Sequence, residues 1–132
     1  LQRAGLNVED EKTEFIHFSR KRGGLNNPPS ITLPSASGGG TFTVHPSPVL
    51  RYLGVFFDSK LNFRKHVETM ANRAMSTIRG LQVLGNSVRG MSLVNFRTLY
   101  RTVVLPVLTF GAPIWYTGKR QKTLVNILTR AQ

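Results

Sequence analysis

Few residues in this chain have the type and spacing to do chemistry. Hydrolysis and phosphoryl transfer need carboxylates brought together, either to hold metal ions or to pass protons. The carboxylates are Glu9, Asp10, Glu11, Glu14, Asp58 and Glu68, with no adjacent Asp-Asp pair. Four of the six share one turn, where such a cluster reads as solvated surface rather than a metal site. Cysteine is absent, which excludes a disulfide scaffold and a thiolate zinc site, and His17, His45 and His66 are too widely separated to read as a metal set. None of the three has a sequence-near nucleophile or carboxylate that would mark a catalytic triad. Gly38-Gly39-Gly40 lacks the Lys-Ser/Thr and the helix that follow a phosphate-binding loop, so it reads as a turn.

What the chain has in excess is positive charge. Eighteen Lys and Arg against six Asp and Glu give a formal net charge of +12, and residues 69–132 carry nine cations and no acid. Such a balance costs self-repulsion unless an anion binds, and phosphate neutralisation supplies most sequence-independent affinity for nucleic acid, so a polyanion is the expected partner. A hydrophobic content of 40% excludes wholesale disorder, and 132 residues suit one domain-sized core. The longest uncharged run, residues 102–118, is 17 residues long and is broken by Pro106, Gly111 and Pro113, so it reads as packed core rather than a membrane span. No membrane partner is expected. The chain opens on Leu and has no apolar leader, which points to a segment of a longer polypeptide.

The elements that must position these charges follow from periodicity. Residues 1–6 read as a helix end closed by Gly5, and residues 13–19 as a strand. A Gly- and Pro-rich loop spans 21–48, within which 30–33 and 41–45 alternate well enough to pair as a hairpin. Residues 49–58 predict one buried strand interrupted by Gly54, where another backbone or a ligand could approach closely. From Asn62, the expected N-cap, the pattern turns helical. Phe63, Val67, Met70, Ala71, Ala74, Ile78 and Leu81 form an apolar stripe, opposite Lys65, Asn72 and Arg79, with Arg64 and Arg73 beside them. Gly85-Asn86 should end this helix and Ser92 begin the next, with Phe96, Leu99, Tyr100, Val103 and Val107 buried and Arg97 and Arg101 outside. Pro106 should kink or end that helix. Pro113, Trp115 and Tyr116 make an aromatic junction before a last helix over about 119–131. The fold class is α+β, a small antiparallel sheet followed by about three helices.

Several strings, taken in order, resemble the reverse transcriptases of non-LTR (LINE-type) retrotransposons, most closely those of fungal elements. Gly5-Leu6, Lys12-Thr13-Glu14 and Phe15-Ile16-His17-Phe18-Ser19-Arg20 are similar to the end of the palm, motif D. Arg51-Tyr52-Leu53-Gly54-Val55 with Asp58, Leu61, Phe63 and His66-Val67 resembles the next signature, which includes the primer grip. Leu84-Gly85-Asn86-Ser87, Arg89-Gly90, Leu99-Tyr100, Leu105-Pro106-Val107-Leu108, Gly111 and Trp115-Tyr116 resemble the thumb helices, with Phe110 where the family usually has Tyr.

The resemblance implies that 1–61 is the end of a palm, with its loop at 21–48 and a primer-grip-like strand at 49–58, and that 62–132 is thumb-like. It implies an RNA-directed DNA polymerase as the parent and an RNA/DNA primer-template duplex as the partner. The missing N-terminal palm and fingers of the same polypeptide would complete the site, magnesium would serve the complete enzyme, and the nucleus would be the location. The family's metal-binding aspartates lie upstream of motif D, so this chain alone is expected to hold no metal and to be inactive. Lys12 matches the motif D lysine implied to help protonate the leaving pyrophosphate. Arg51, Leu53, Gly54 and Val55 match the primer grip, with the backbone of Leu53 and Val55 close to the sugar-phosphate chain. Arg64, Lys65, Arg73, Arg79, Arg97 and Arg101 would face the phosphates of the hybrid. The residues by themselves also allow a stand-alone basic nucleic-acid-binding or RNA-associated structural module, or a helical protein-interaction domain that oligomerises through the stripe of residues 63–81.

Overall fold

A computed structural model of the chain describes residues 9–19, 28–35, 39–83, 90–118 and 121–131. The expected helix end at 1–6 and helix stop at Gly85-Asn86 lie outside the described residues. The chain divides into two compact units, Leu1–Leu61 and Asn62–Gln132. The architecture is α+β, two small antiparallel sheets followed by helices.

The first unit is built from two hairpins. Strands β1 (Ile31–Pro34) and β2 (Thr41–Val44) pair antiparallel, with Ile31 opposite Val44 and Pro34 opposite Thr41, close to the pairing read from the alternation. The segment 49–58 is not one strand. It folds back on itself as β3 (Val49–Tyr52) and β4 (Val55–Asp58), with Tyr52 opposite Val55 and Leu53-Gly54 as a two-residue turn. Both turn residues have positive φ, 47° at Leu53 and 87° at Gly54, which is the type I′ requirement in tight hairpins. Gly54 is therefore a turn glycine, free of the Cβ penalty, rather than a break in a buried strand. The expected strand at 13–19 is reduced to one parallel bridge between Phe15 and Pro46, with Ser47 N–H donating to the Phe15 carbonyl at 2.7 Å. Its partner segment contains Pro46 and Pro48, which have no N–H to extend a ladder.

In the second unit, α1 (Arg64–Gln82) carries the stripe expected of it: Phe63, Val67, Met70, Ala71 and Ala74 are buried, and Ile78 and Leu81 pack against the core. Its N-cap is Phe63, not Asn62. Phe63 adopts a left-handed conformation (φ 56°) as its side chain enters the core, and its carbonyl accepts from the Val67 N–H at 3.0 Å. Ser92 caps α2 (Leu93–Leu99), its hydroxyl accepting from the Asn95 N–H at 3.3 Å.

The helix does not stop at Pro106 itself. A π turn, Tyr100–Val104, leads directly into α3 (Leu105–Leu108), in whose first turn Pro106 sits, and the Leu105 N–H reaches back five residues to the Tyr100 carbonyl. The wide turn absorbs the missing donor and the ring that an α-turn would accommodate poorly. It also rotates the buried face. Residues 96, 100, 104 and 108 are four apart, a spacing that drifts by about 40° per step on a regular helix; with the π turn, Val104 and Leu108 become buried while Val103 stays exposed. A short α4 (Ala112–Trp115) and then α5 (Lys122–Ala131) complete the unit. Ala71, Ala74, Val104 and Leu108 form its central cluster, flanked by Met75, Tyr100, Val107, Ile127 and Leu128.

Gly80 lies inside α1, exposed, and a Cβ added there meets nothing within 4 Å. Gly80→Ala is therefore expected to stabilise the chain by about 0.5–1 kcal/mol, since alanine loses less conformational freedom on entering a helix. Urea denaturation reads this directly, and a lower midpoint would contradict it.

Candidate nucleic-acid interface

Each cation expected to meet phosphate sits on the surface. Lys65, Arg73 and Arg79 are exposed on α1, Arg97 on α2 and Arg101 in the π turn. Residues 62–132 contain one acid, Glu68, and it is already engaged: Arg64 Nε donates to its carboxylate at 2.8 Å across one helical turn. Arg64 is thus partly neutralised within the chain. The other five have no acid left in their own unit to pair with, so their charge is turned outward. Several threonines beside them, including Thr69, Thr77, Thr98 and Thr102, donate their hydroxyls to the carbonyl four residues earlier. Those side chains are thereby held against the helix.

The β3–β4 tip has a different chemistry. Leu53 is 81% exposed and Tyr52 63% exposed, while Val55 is 4% exposed and serves the interior of the hairpin. Arg51 is exposed opposite Phe56, its guanidinium 5.7 Å from the ring centroid, a cation–π distance that props the charge on the sheet surface. Among the residues assigned to the primer grip by resemblance, the structure presents Arg51 and Leu53 outward, uses Gly54 for the turn and buries the side chain of Val55. Tyr52 was not singled out; its place beside the turn would have followed from reading Leu53-Gly54 as a hairpin.

Lys12 lies at the end of a single 3-10 turn, Asp10–Lys12, where its ammonium pairs with Glu9 on the surface. Asp10 accepts a hydrogen bond from the Ser35 hydroxyl. Two of the four clustered carboxylates, Glu9 and Asp10, are thus engaged locally, and among the described residues no group of three or more His, Asp or Glu could hold a metal ion. These carboxylates do not fit a magnesium pair.

His66 is the one buried polar side chain of the core among the described residues. Its Nε2–H donates to the Phe110 carbonyl at 2.9 Å, which fixes the proton on Nε2 because a carbonyl can only accept. The Phe110 ring lies 6.2 Å away and tilted. This bond ties α1 to the turn between α3 and α4, where Gly111 has positive φ. Its burial follows from its phase: it lies three residues from Phe63 and four from Met70, beside the apolar stripe. Trp115 is buried, edge-on to Tyr116, and its carbonyl accepts from the Gln121 amide.

No protein-family model matches the chain, and no solved structure matches it. It is similar to the probable RNA-directed DNA polymerase from transposon X-element of Drosophila melanogaster, 27% identical over 115 residues, which is 86% of this chain and 12% of that protein. It is 30% identical over 82 residues, 62% of this chain and 8% of the other, to a putative 115 kDa protein in the type-1 retrotransposable element R1DM of the same species. Over 128 residues, 97% of this chain, it is 22% identical to the retrovirus-related Pol polyprotein from type-1 retrotransposable element R1 of Nasonia vitripennis, covering 37% of that protein. The chain thus spans between about a twelfth and a little over a third of these relatives. The similarity is to proteins encoded by transposable elements, one of them a probable RNA-directed DNA polymerase. Among the described residues, no helix is long and apolar enough to cross a membrane.

His66→Leu keeps an apolar shape but leaves the Phe110 carbonyl without its donor. The expected cost is about 1–3 kcal/mol, read as a lower urea midpoint; an unchanged midpoint would show that the bond contributes nothing to the helical unit.

Proposed function

We propose that this chain is the part of a non-LTR retrotransposon reverse transcriptase that grips the primer-template duplex, a C-terminal palm segment followed by the thumb. The observation that carries the reading is the combination of similarity to retrotransposon polymerase proteins over most of the chain with a helical unit whose single acid is consumed by Arg64. Lys65, Arg73, Arg79, Arg97 and Arg101 then meet the phosphates of an RNA–DNA hybrid, reading charge and shape rather than base identity. The β3–β4 tip, with Arg51 beside the exposed Tyr52 and Leu53, meets the primer end, with Gly54 setting the turn and the Val55 side chain anchoring the hairpin from inside. Catalysis belongs to aspartates and magnesium held by the palm and fingers of the complete polypeptide, acting in the nucleus on its own element's RNA.

Titrating hybrid binding against salt tests the grip. Each neutralised phosphate contributes a slope of about −0.7 to −0.9 in log K against log salt, so five contacts predict a slope of about −4. Arg97→Gln and Arg101→Gln should each reduce it by about 1. An affinity that barely changes between low and physiological salt sinks the reading. In the complete enzyme, Lys12→Ala should slow nucleotide incorporation and leave primer-template affinity nearly unchanged; an equal fall in both would give Lys12 a binding role instead.

A further inference from the structure

The end of the β3–β4 hairpin opposite its tip borders a cavity of about 200 Å³ in the first unit. Its polar lining comes from His17, Ser19, Ser47, Ser59 and Lys60, with no carboxylate among the lining residues. We propose that this cavity is a phosphate seat, in which the Lys60 ammonium, the Ser47 and Ser59 hydroxyls and the His17 imidazole N–H donate to the oxygens of one phosphoryl group.

The donor set decides the class of ligand. Only His17 is of a type that commonly ligates transition metals, and Lys60 repels a cation, so a metal does not suit the site. Lysine offers three N–H donors and a full charge, each serine one O–H, and even a neutral imidazole one N–H. Several donor-bearing residues lining one small volume match an anion with several acceptor oxygens, and such charge-assisted bonds are the stronger ones. The space also suffices, since a water occupies about 30 Å³ of the liquid and a tetrahedral anion with a few waters fits.

The backbone holds this lining in place without taking part. Ser19 N–H donates to the Ser59 carbonyl at 2.9 Å, Ser47 N–H to Phe15 at 2.7 Å and Ser59 N–H to Pro48 at 3.3 Å, so these three amides are already used. Pro46 and Pro48 line the cavity, restrict the chain on either side of Ser47 and bring no N–H of their own. Binding is thereby left to side chains on a frame stitched together from three separate segments. None of the four donors named here belongs to the cations of the helical unit, so the seat stands or falls separately from the duplex grip.

The test is a titration of the 132-residue chain with inorganic phosphate, followed by amide and side-chain NMR shifts. Saturable shifts confined to the neighbourhood of His17, Ser47, Ser59 and Lys60 are expected. Lys60→Gln should weaken binding at least fivefold and Ser47→Ala two- to fivefold, in variants whose spectra stay dispersed, while Lys122→Gln, at an exposed lysine far along the sequence, changes nothing. A dinucleoside monophosphate, which carries only a diester, separates the sources. The same shifts with it mean a nucleic-acid backbone occupies the seat, and shifts with inorganic phosphate alone mean a free phosphate does. Absence of saturable shifts with both probes, shifts spread evenly over exposed lysines, or full affinity in Lys60→Gln overturns the proposal.

Discussion

The contact of Val104 and Leu108 with Ala71 and Ala74 is the constraint from which the rest of the helical unit follows. Alanines at the centre of α1 let a neighbouring helix come close, and the branched side chains that fill the space are fully buried. Val104 and Leu108, four residues apart, share one helical face, and the π turn ahead of Pro106 sets that face out of the phase α2 alone would give, so that Val104 is buried and Val103 is not. Once α1 is committed to this packing on one side, its opposite side is committed to solvent. Lys65, Asn72, Arg73 and Arg79 are exposed as a consequence. The same commitment removes the apolar stripe from the surface, so it is not available to join two copies of the chain.

Charge is distributed to complement this geometry. Most of the net +12 lies in the helical unit, and most of the acids lie in the first unit, occupied in part by Lys12 and the Ser35 hydroxyl. An exposed basic surface is ordinary when acids are interleaved with it, because the local field then cancels. Here the only acid of the helical unit is bound one turn away to Arg64, which itself stands at the edge of the patch. The remaining field has no acid within its own unit to cancel it and reaches into solvent over roughly a Debye length, which is the basis for proposing a polyanion there.

Much of this was legible in the sequence, because the helical period reports burial directly. The α1 stripe, the Ser92 cap and the outward arginines followed from spacing alone. The failures have specific causes. Two-residue hairpin turns usually carry Asn-Gly or Asp-Gly, so Leu53-Gly54 inside an apolar run did not announce itself and 49–58 read as one strand. The face of the third helical segment was misplaced by one residue, since a regular 3.6 period cannot anticipate a π turn. Phe63 took the cap from Asn62 because burying its ring outweighed the preference for a polar cap. The lining of the proposed phosphate seat was invisible for another reason: His17, Ser47 and Ser59 come from segments joined only in the folded chain.

The most direct measurement is a map of where an RNA–DNA hybrid touches the chain, taken from arginine Nε–Hε and backbone amide shifts on titration. The account requires the shifts at Arg73, Arg79, Arg97 and Arg101 and around Lys65, together with the β3–β4 tip at Tyr52, Leu53 and Gly54, with the buried cluster around Ala74 silent. Shifts confined to the β1–β2 hairpin, or none at salt low enough to saturate any electrostatic complex, would contradict it.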